Sequence, residues 1–125
     1  MMMTTAYAPA RSRARIALLW TLQLLAAAMF LFAGTLKLSG APIMVQMFGV
    51  IGLGQWFRYL TGAIEVVGAV LLLTPSLALY GAVPLALTMI GAIVAHLFVI
   101  GGNPAMPVLL LGATTTVASM RWSER

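Results

Sequence analysis

The 125-residue chain has no cysteine. A disulfide scaffold, a thiol nucleophile and a cysteine-ligated zinc or iron–sulfur centre are therefore excluded, and the redox compartment cannot be read from thiols. There is one histidine, His96, so no bis-histidine haem can be built within a single chain. Charge is scarce too. Two acids and seven bases make 7% charged residues, against about 25% in ordinary domains, while 62% of the chain is hydrophobic. A soluble domain cannot cover its surface with so few charges, and a disordered one would be polar. The alternating segments of a membrane barrel are missing, because the apolar runs are continuous. What remains is an all-α integral membrane protein with the lipid bilayer as its first partner.

The net charge of +5 does not indicate nucleic acid, because the bases form no binding surface. Arg11, Arg13 and Arg15 precede the first apolar run, and Arg121 and Arg125 follow the last. Flanking bases of this kind orient membrane helices and favour anionic headgroups.

Four apolar segments can be drawn, at about Ile16–Leu36, Phe57–Leu73, Leu77–Ile100 and Met106–Met120. The first and third reach the length of about 20 residues that a span requires. The second is short and carries Glu65. The fourth is shortest and borrows length from Trp122 and a snorkelling Arg121. The first could instead be a signal peptide with Ser39-Gly40-Ala41 as its cleavage site. Its apolar stretch exceeds the usual h-region of about 7–15 residues, so it reads as a retained span. The expected fold is an antiparallel four-helix transmembrane bundle. A basic tail (1–15) and a short C-terminal tail (121–125) flank the membrane domain (16–120). The positive-inside rule puts both termini in the cytoplasm of a multi-pass protein of a bacterial plasma membrane. Gly34, Gly62, Gly68, Gly91 and Gly112 are expected at close helix contacts. Thr74 or Ser76 is expected to cap the third helix, and Pro84 to kink it.

The connection from Ser39 to Trp56 is apolar but broken by Gly40, Pro42, Gly49, Gly52 and Gly54. Its middle, from Pro42 to Phe48, suits about two turns of helix with proline in first position. Too short to span, it lies in the interface or dips into the bundle, either as a greasy loop or as a lid.

Intramembrane polar residues carry the functional signal, because a charge in a helix centre costs about 2.5–3.5 kcal/mol on insertion scales. Counting from the ends of their segments, Glu65 lies about 12 Å deep and His96 about 6 Å deep from the same surface. Lys37 ends the first helix at that surface. Arg58 precedes Glu65 on one helical face, in the stripe Arg58-Gly62-Glu65-Ala69. Matching stripes are Gln23-Ala27-Phe30-Gly34-Lys37 and Thr88-Ala92-His96. Lys37, Arg58, Glu65 and His96 thus form a candidate cofactor-binding cluster. Each also has a plainer role: Lys37 snorkels, Arg58 anchors at the interface, Glu65 makes a structural ion pair with Lys37 or Arg58, His96 packs. Met44 and Met47 share a face, but two thioethers are too few for a soft-metal site.

The joined pattern resembles the DoxX-like family of small four-helix membrane proteins. It consists of Phe32-Ala33-Gly34-Thr35-Leu36-Lys37-Leu38, then Trp56-Phe57-Arg58-Tyr59. Next comes Thr61-Gly62-x-x-Glu65-x-x-Gly68-Ala69, then Gly91-Ala92 before His96. The resemblance runs from about Leu24 to Leu110 and implies a four-helix membrane bundle with Lys37, Glu65 and His96 as its polar positions. The family takes its name from similarity to subunits of a thiosulfate:quinone oxidoreductase, and some relatives work beside redox proteins. The resemblance therefore implies a subunit or partner of a quinone-linked membrane redox system, with quinone as the candidate cofactor and a redox protein as partner. Without cysteine, a thiol relay would need that partner. Two other classes stay open. One is a small-molecule carrier or permeability protein, which at this size would need a homo-oligomer and shows no inverted repeat. The other is a non-catalytic scaffold or assembly factor.

Overall fold

The computed structural model describes residues 10–124, with side chains from Ser12 onward; residues 1–9 and Arg125, parts of the two expected tails, lie outside it. Every regular element within that range is helical. Helix α1 spans Ala10–Ser39, α2 Pro42–Ile51, α3 Gln55–Leu72, α4 Ala78–Ala95 and α5 Ala105–Trp122. A short 3₁₀ turn, Pro75–Leu77, leads into α4, and a π-helical turn, His96–Ile100, ends it. The apolar segments of the sequence fall on α1, α3, α4 and α5. Helix α1 begins before the first apolar run and takes in its arginines, for which long straight-chain side chains are well suited.

Helix α1 packs against α3 and α5, and α4 packs against the same two. Along α1 and α3 the contacts run in opposite directions, Gly34 meeting Gly62 while Gln23 reaches Leu72. Four glycines set the closest approaches. A Cβ on Gly34 would lie 2.9 Å from the Gly62 carbonyl oxygen, and one on Gly81 would lie 2.6 Å from that of Gly68. Gly68 itself faces the Leu85 side chain. Gly91 and Gly112 correct the sequence reading, since nothing lies within 4 Å of the Cβ either would carry.

The interior is small and partly polar, and the exterior is greasy. Leu19, Ala26, Ala27, Phe30, Ala69, Leu72, Ala82, Leu85, Met89 and Val117 form the buried apolar cluster. Buried among the helices are also Gln23, Arg58, Glu65 and Thr114. Leu25, Phe32, Leu87 and Phe98 point outward, Phe98 with 79% of its surface exposed. Water would penalise that arrangement at about 25 cal/mol per Å² of apolar surface, whereas a hydrocarbon surround does not. Among the described residues two helical stretches, Ser12–Ser39 and Pro75–Ile100, are long and apolar enough to cross a membrane. Helix α3 falls short because Arg58 and Glu65 interrupt it, and α5 because it holds a threonine run and Arg121.

The connection between α1 and α3 is helical, as the sequence suggests. Pro42 opens α2, and Gly52 closes it in a left-handed conformation (φ 84°) that a side chain would resist. The α3–α4 turn differs from expectation. The Thr74 hydroxyl donates back to the Val70 carbonyl (3.2 Å), and no side chain caps α4. Pro75 forces the chain into a 3₁₀ turn at that point, so Leu77 occupies the cap position instead.

Candidate functional site

At the Gly34–Gly62 crossing Lys37 lies opposite Gly62 and Glu65 opposite Gly34, so the Lys37 side chain has only to reach along the interface to the carboxylate. Lys37 Nζ there donates to Glu65 Oε1 at 2.9 Å. Glu65 is 1% exposed. The ammonium is thus the compensation a carboxylate at that depth requires. Lys37 does not simply snorkel, and Glu65 is not left to solvent.

Arg58 is buried but turns away from this pair. Its Nη1 donates to the Lys37 carbonyl, and its Nε donates to Gln55 Oε1 at 2.7 Å. Gln55 Nε2 in turn donates to the Val45 carbonyl of α2 at 3.2 Å. Arg58 therefore links the end of α1 to α3 and, through Gln55, to α2. The guanidinium also sits 4.3 Å from the centre of the Tyr59 ring.

Helix α2 forms one wall of an open-sided cavity of about 540 Å³ lined also by α1, α3, α4 and α5. Phe48 of α2 is buried against Phe57 of α3, their ring centres 5.8 Å apart. Most of the lining is apolar. Its polar members are Lys37, Thr61, Glu65, Thr88, His96 and Asn103. Three of the four residues singled out in the sequence, Lys37, Glu65 and His96, thus share one cavity. Arg58 lies behind its wall. Met44 and Met47 also line it, joined by Met89 and Met106, which sequence reading did not connect with them. Four flexible thioethers make an adaptable surface of the kind that receives apolar ligands of varied shape.

The polar groups of the cavity are largely pre-committed. Thr61 donates to the Phe57 carbonyl (2.7 Å) and Thr88 to the Pro84 carbonyl (2.8 Å). Asn103 Oδ1 accepts from the Ala105 amide (2.9 Å), and His96 Nδ1 lies 2.9 Å from the Ala92 carbonyl oxygen. Among the described residues no fully buried side-chain nitrogen or oxygen lacks a partner.

A second polar cluster lies at the other end of the helices, and the sequence reading missed it. Gln23 is fully buried, donating to the Leu72 carbonyl at 2.6 Å. Its Oε1 receives Arg121 Nε at 3.0 Å and Nη2 at 2.5 Å. Arg121 Nη1 also pairs with Glu124 at 2.9 Å. The available signal was a lone glutamine on the buried stripe of α1, which needed a donor from another helix end.

No curated protein and no solved structure matches the chain. The sequence profile of the DoxX-like family matches residues 21–119. That range holds the Gly34–Gly62 crossing, the Lys37–Glu65 pair, the cavity and His96, and the chain is a membrane protein belonging to the DoxX-like family.

Proposed function

We propose that α1, α3, α4 and α5 form an antiparallel four-span bundle in a bacterial plasma membrane, with both termini cytoplasmic. We further propose that the cavity at the Lys37 end binds a quinone-type headgroup for a membrane redox system in which this chain is a subunit or partner. The observation that carries this reading is the composition of the cavity: apolar walls of a size suited to a small organic ligand, with an ion pair and an imidazole among them. At 1.5 Å per residue, α3 and α5 are each about 27 Å long, close to a hydrocarbon core of about 30 Å.

The residues fit such a group. Phe30, Phe48 and Phe57 offer aromatic walls to a flat ring, the Lys37 ammonium has N–H groups beyond the one given to Glu65, and His96 presents an imidazole. A quinone supplies coupled electron and proton chemistry when bound. This chain would orient the ring, exclude water from it, and hold a proton at His96 or Glu65. A scaffold reading is favoured by one fact, the pairing of Glu65 with Lys37. Titration of the detergent-purified chain with a short-tailed benzoquinone separates the two. Saturable binding that is lost when Ala92→Trp fills the cavity supports the site. No saturable binding by the folded wild-type chain overturns it.

A further inference from the structure

His96 is oriented by its own helix. The Ala92 carbonyl oxygen, 2.9 Å from Nδ1, can only accept, so Nδ1 carries the hydrogen. In the neutral imidazole the other nitrogen, Nε2, is then a bare lone pair. Among the described residues no hydrogen bond reaches Nε2, and the ring lies on the cavity wall. The helix changes its winding at this residue, with the Gly101 amide reaching back to the His96 carbonyl across a π turn.

The rest of the wall has the same bias. Thr61 and Thr88 spend their hydroxyl hydrogens on helix carbonyls, which leaves oxygen lone pairs toward a ligand. An ionised Glu65 carries acceptors alone. Against these four acceptor groups stand two donor groups, the Lys37 ammonium with two N–H bonds left and the side-chain amide of Asn103, whose oxygen is already engaged.

We propose that the cavity selects the reduced, dihydroxy form of a quinone-type headgroup over the oxidised dicarbonyl form, and that His96 sets this preference. The proposal rests on the quinone reading above. A dicarbonyl ring has only acceptors to offer. Placed against Nε2, it would bring two lone pairs face to face. A dihydroxy ring donates one O–H to Nε2 and still accepts from Lys37 at its other oxygen. Sites built to bond a hydroxyl discriminate against the analogue without it, because the site's own polar groups are left unpaired.

The test compares two ligands on the full chain in detergent at pH 8. Decyl-benzoquinone and its hydroquinone are titrated calorimetrically, the latter under argon with ascorbate, a reductant that does not add to the quinone ring. The hydroquinone is expected to bind about tenfold or more tightly. In His96→Gln, which offers both a donor and an acceptor, the ratio should fall to within about twofold. Equal affinities in the wild-type chain, or a ratio that persists in a folded His96→Gln variant, would overturn the proposal and leave the quinone reading standing. If neither form binds, the quinone reading falls and this inference with it.

Discussion

Glu65 and Arg58 lie two turns apart on one face of α3, yet Glu65 pairs across the helix interface with Lys37 while Arg58 bonds the Lys37 backbone. The helix itself does not unite the two charges. Arg58 is drawn toward the helix end, where α1 stops and leaves its last carbonyls without intrahelical partners. Glu65 is left to the only ammonium the crossing delivers. Removing one member of a buried pair strands the other, at a cost of about 3–5 kcal/mol, whereas removing both is far milder. Lys37→Met and Glu65→Gln should each lower the melting temperature in detergent, and the double variant should recover much of the loss. A coupling energy of about 0.5–3 kcal/mol is expected from the four melts. Additive losses would show that the pair contributes nothing as a pair.

The same pair depends on two glycines one turn away. Gly34→Ala would drive a methyl group to 2.9 Å from the Gly62 carbonyl oxygen and 2.7 Å from Val66. The carbonyl belongs to a helix backbone and cannot swing aside, so α1 and α3 must separate and Lys37 must draw back from Glu65. Gly112→Ala meets open space and should leave the melt unchanged or slightly raised. A melting comparison of the two alanine variants checks this, with loss of about 1–3 kcal/mol expected at Gly34 alone. Equal behaviour would remove the close crossing from the account.

How much of this was visible in the sequence depends on the residue. Helix positions followed from the length of apolar runs and from Pro42, Gly52 and Pro75, because those signals are local. The partnership of Lys37 and Glu65 was among the options but not selected from them. Register between helices depends on which glycines face each other, and Gly91 and Gly112 carry the same letter as Gly34 and Gly62. Arg121 looked like a topology signal because flanking arginines usually are. Its bond to Gln23 joins α5 to α1 across 98 residues of sequence, a relation that no local pattern encodes.

The proposed topology makes a labelling prediction. Ser76, in the turn before α4, and Leu53, between α2 and α3, should lie on opposite faces of the membrane, with Ser76 cytoplasmic. The absence of native cysteine makes single substitutions at these positions clean probes. An impermeant maleimide added to intact cells should label Leu53→Cys and leave Ser76→Cys unlabelled until the cells are opened. Labelling of both from outside would defeat the four-span arrangement, and the reverse pattern would invert its orientation.

The Gln23–Arg121 contact makes a prediction about the opposite end. Gln23 is wholly buried, and its oxygen receives two guanidinium N–H groups while its amide holds the last-turn carbonyl of Leu72. Arg121→Leu would leave that oxygen without either donor inside the packed interface of α1 with α5. An unsatisfied buried acceptor costs about 1–3 kcal/mol, and the melting temperature should fall accordingly. Arg121→Lys should recover only part of the loss, since a single ammonium cannot reproduce the forked geometry that also engages Glu124. Gln23→Leu placed on Arg121→Leu should be less harmful than either change predicts alone, because the stranded oxygen is gone. Arg15 supplies the control. It is exposed, donating to the Met120 carbonyl and the Ser123 hydroxyl at the end of α5, and Arg15→Gln should shift the melt by no more than about 0.5 kcal/mol. If Arg121→Leu melts like Arg15→Gln, the arginine at the end of α5 is only a topology signal after all.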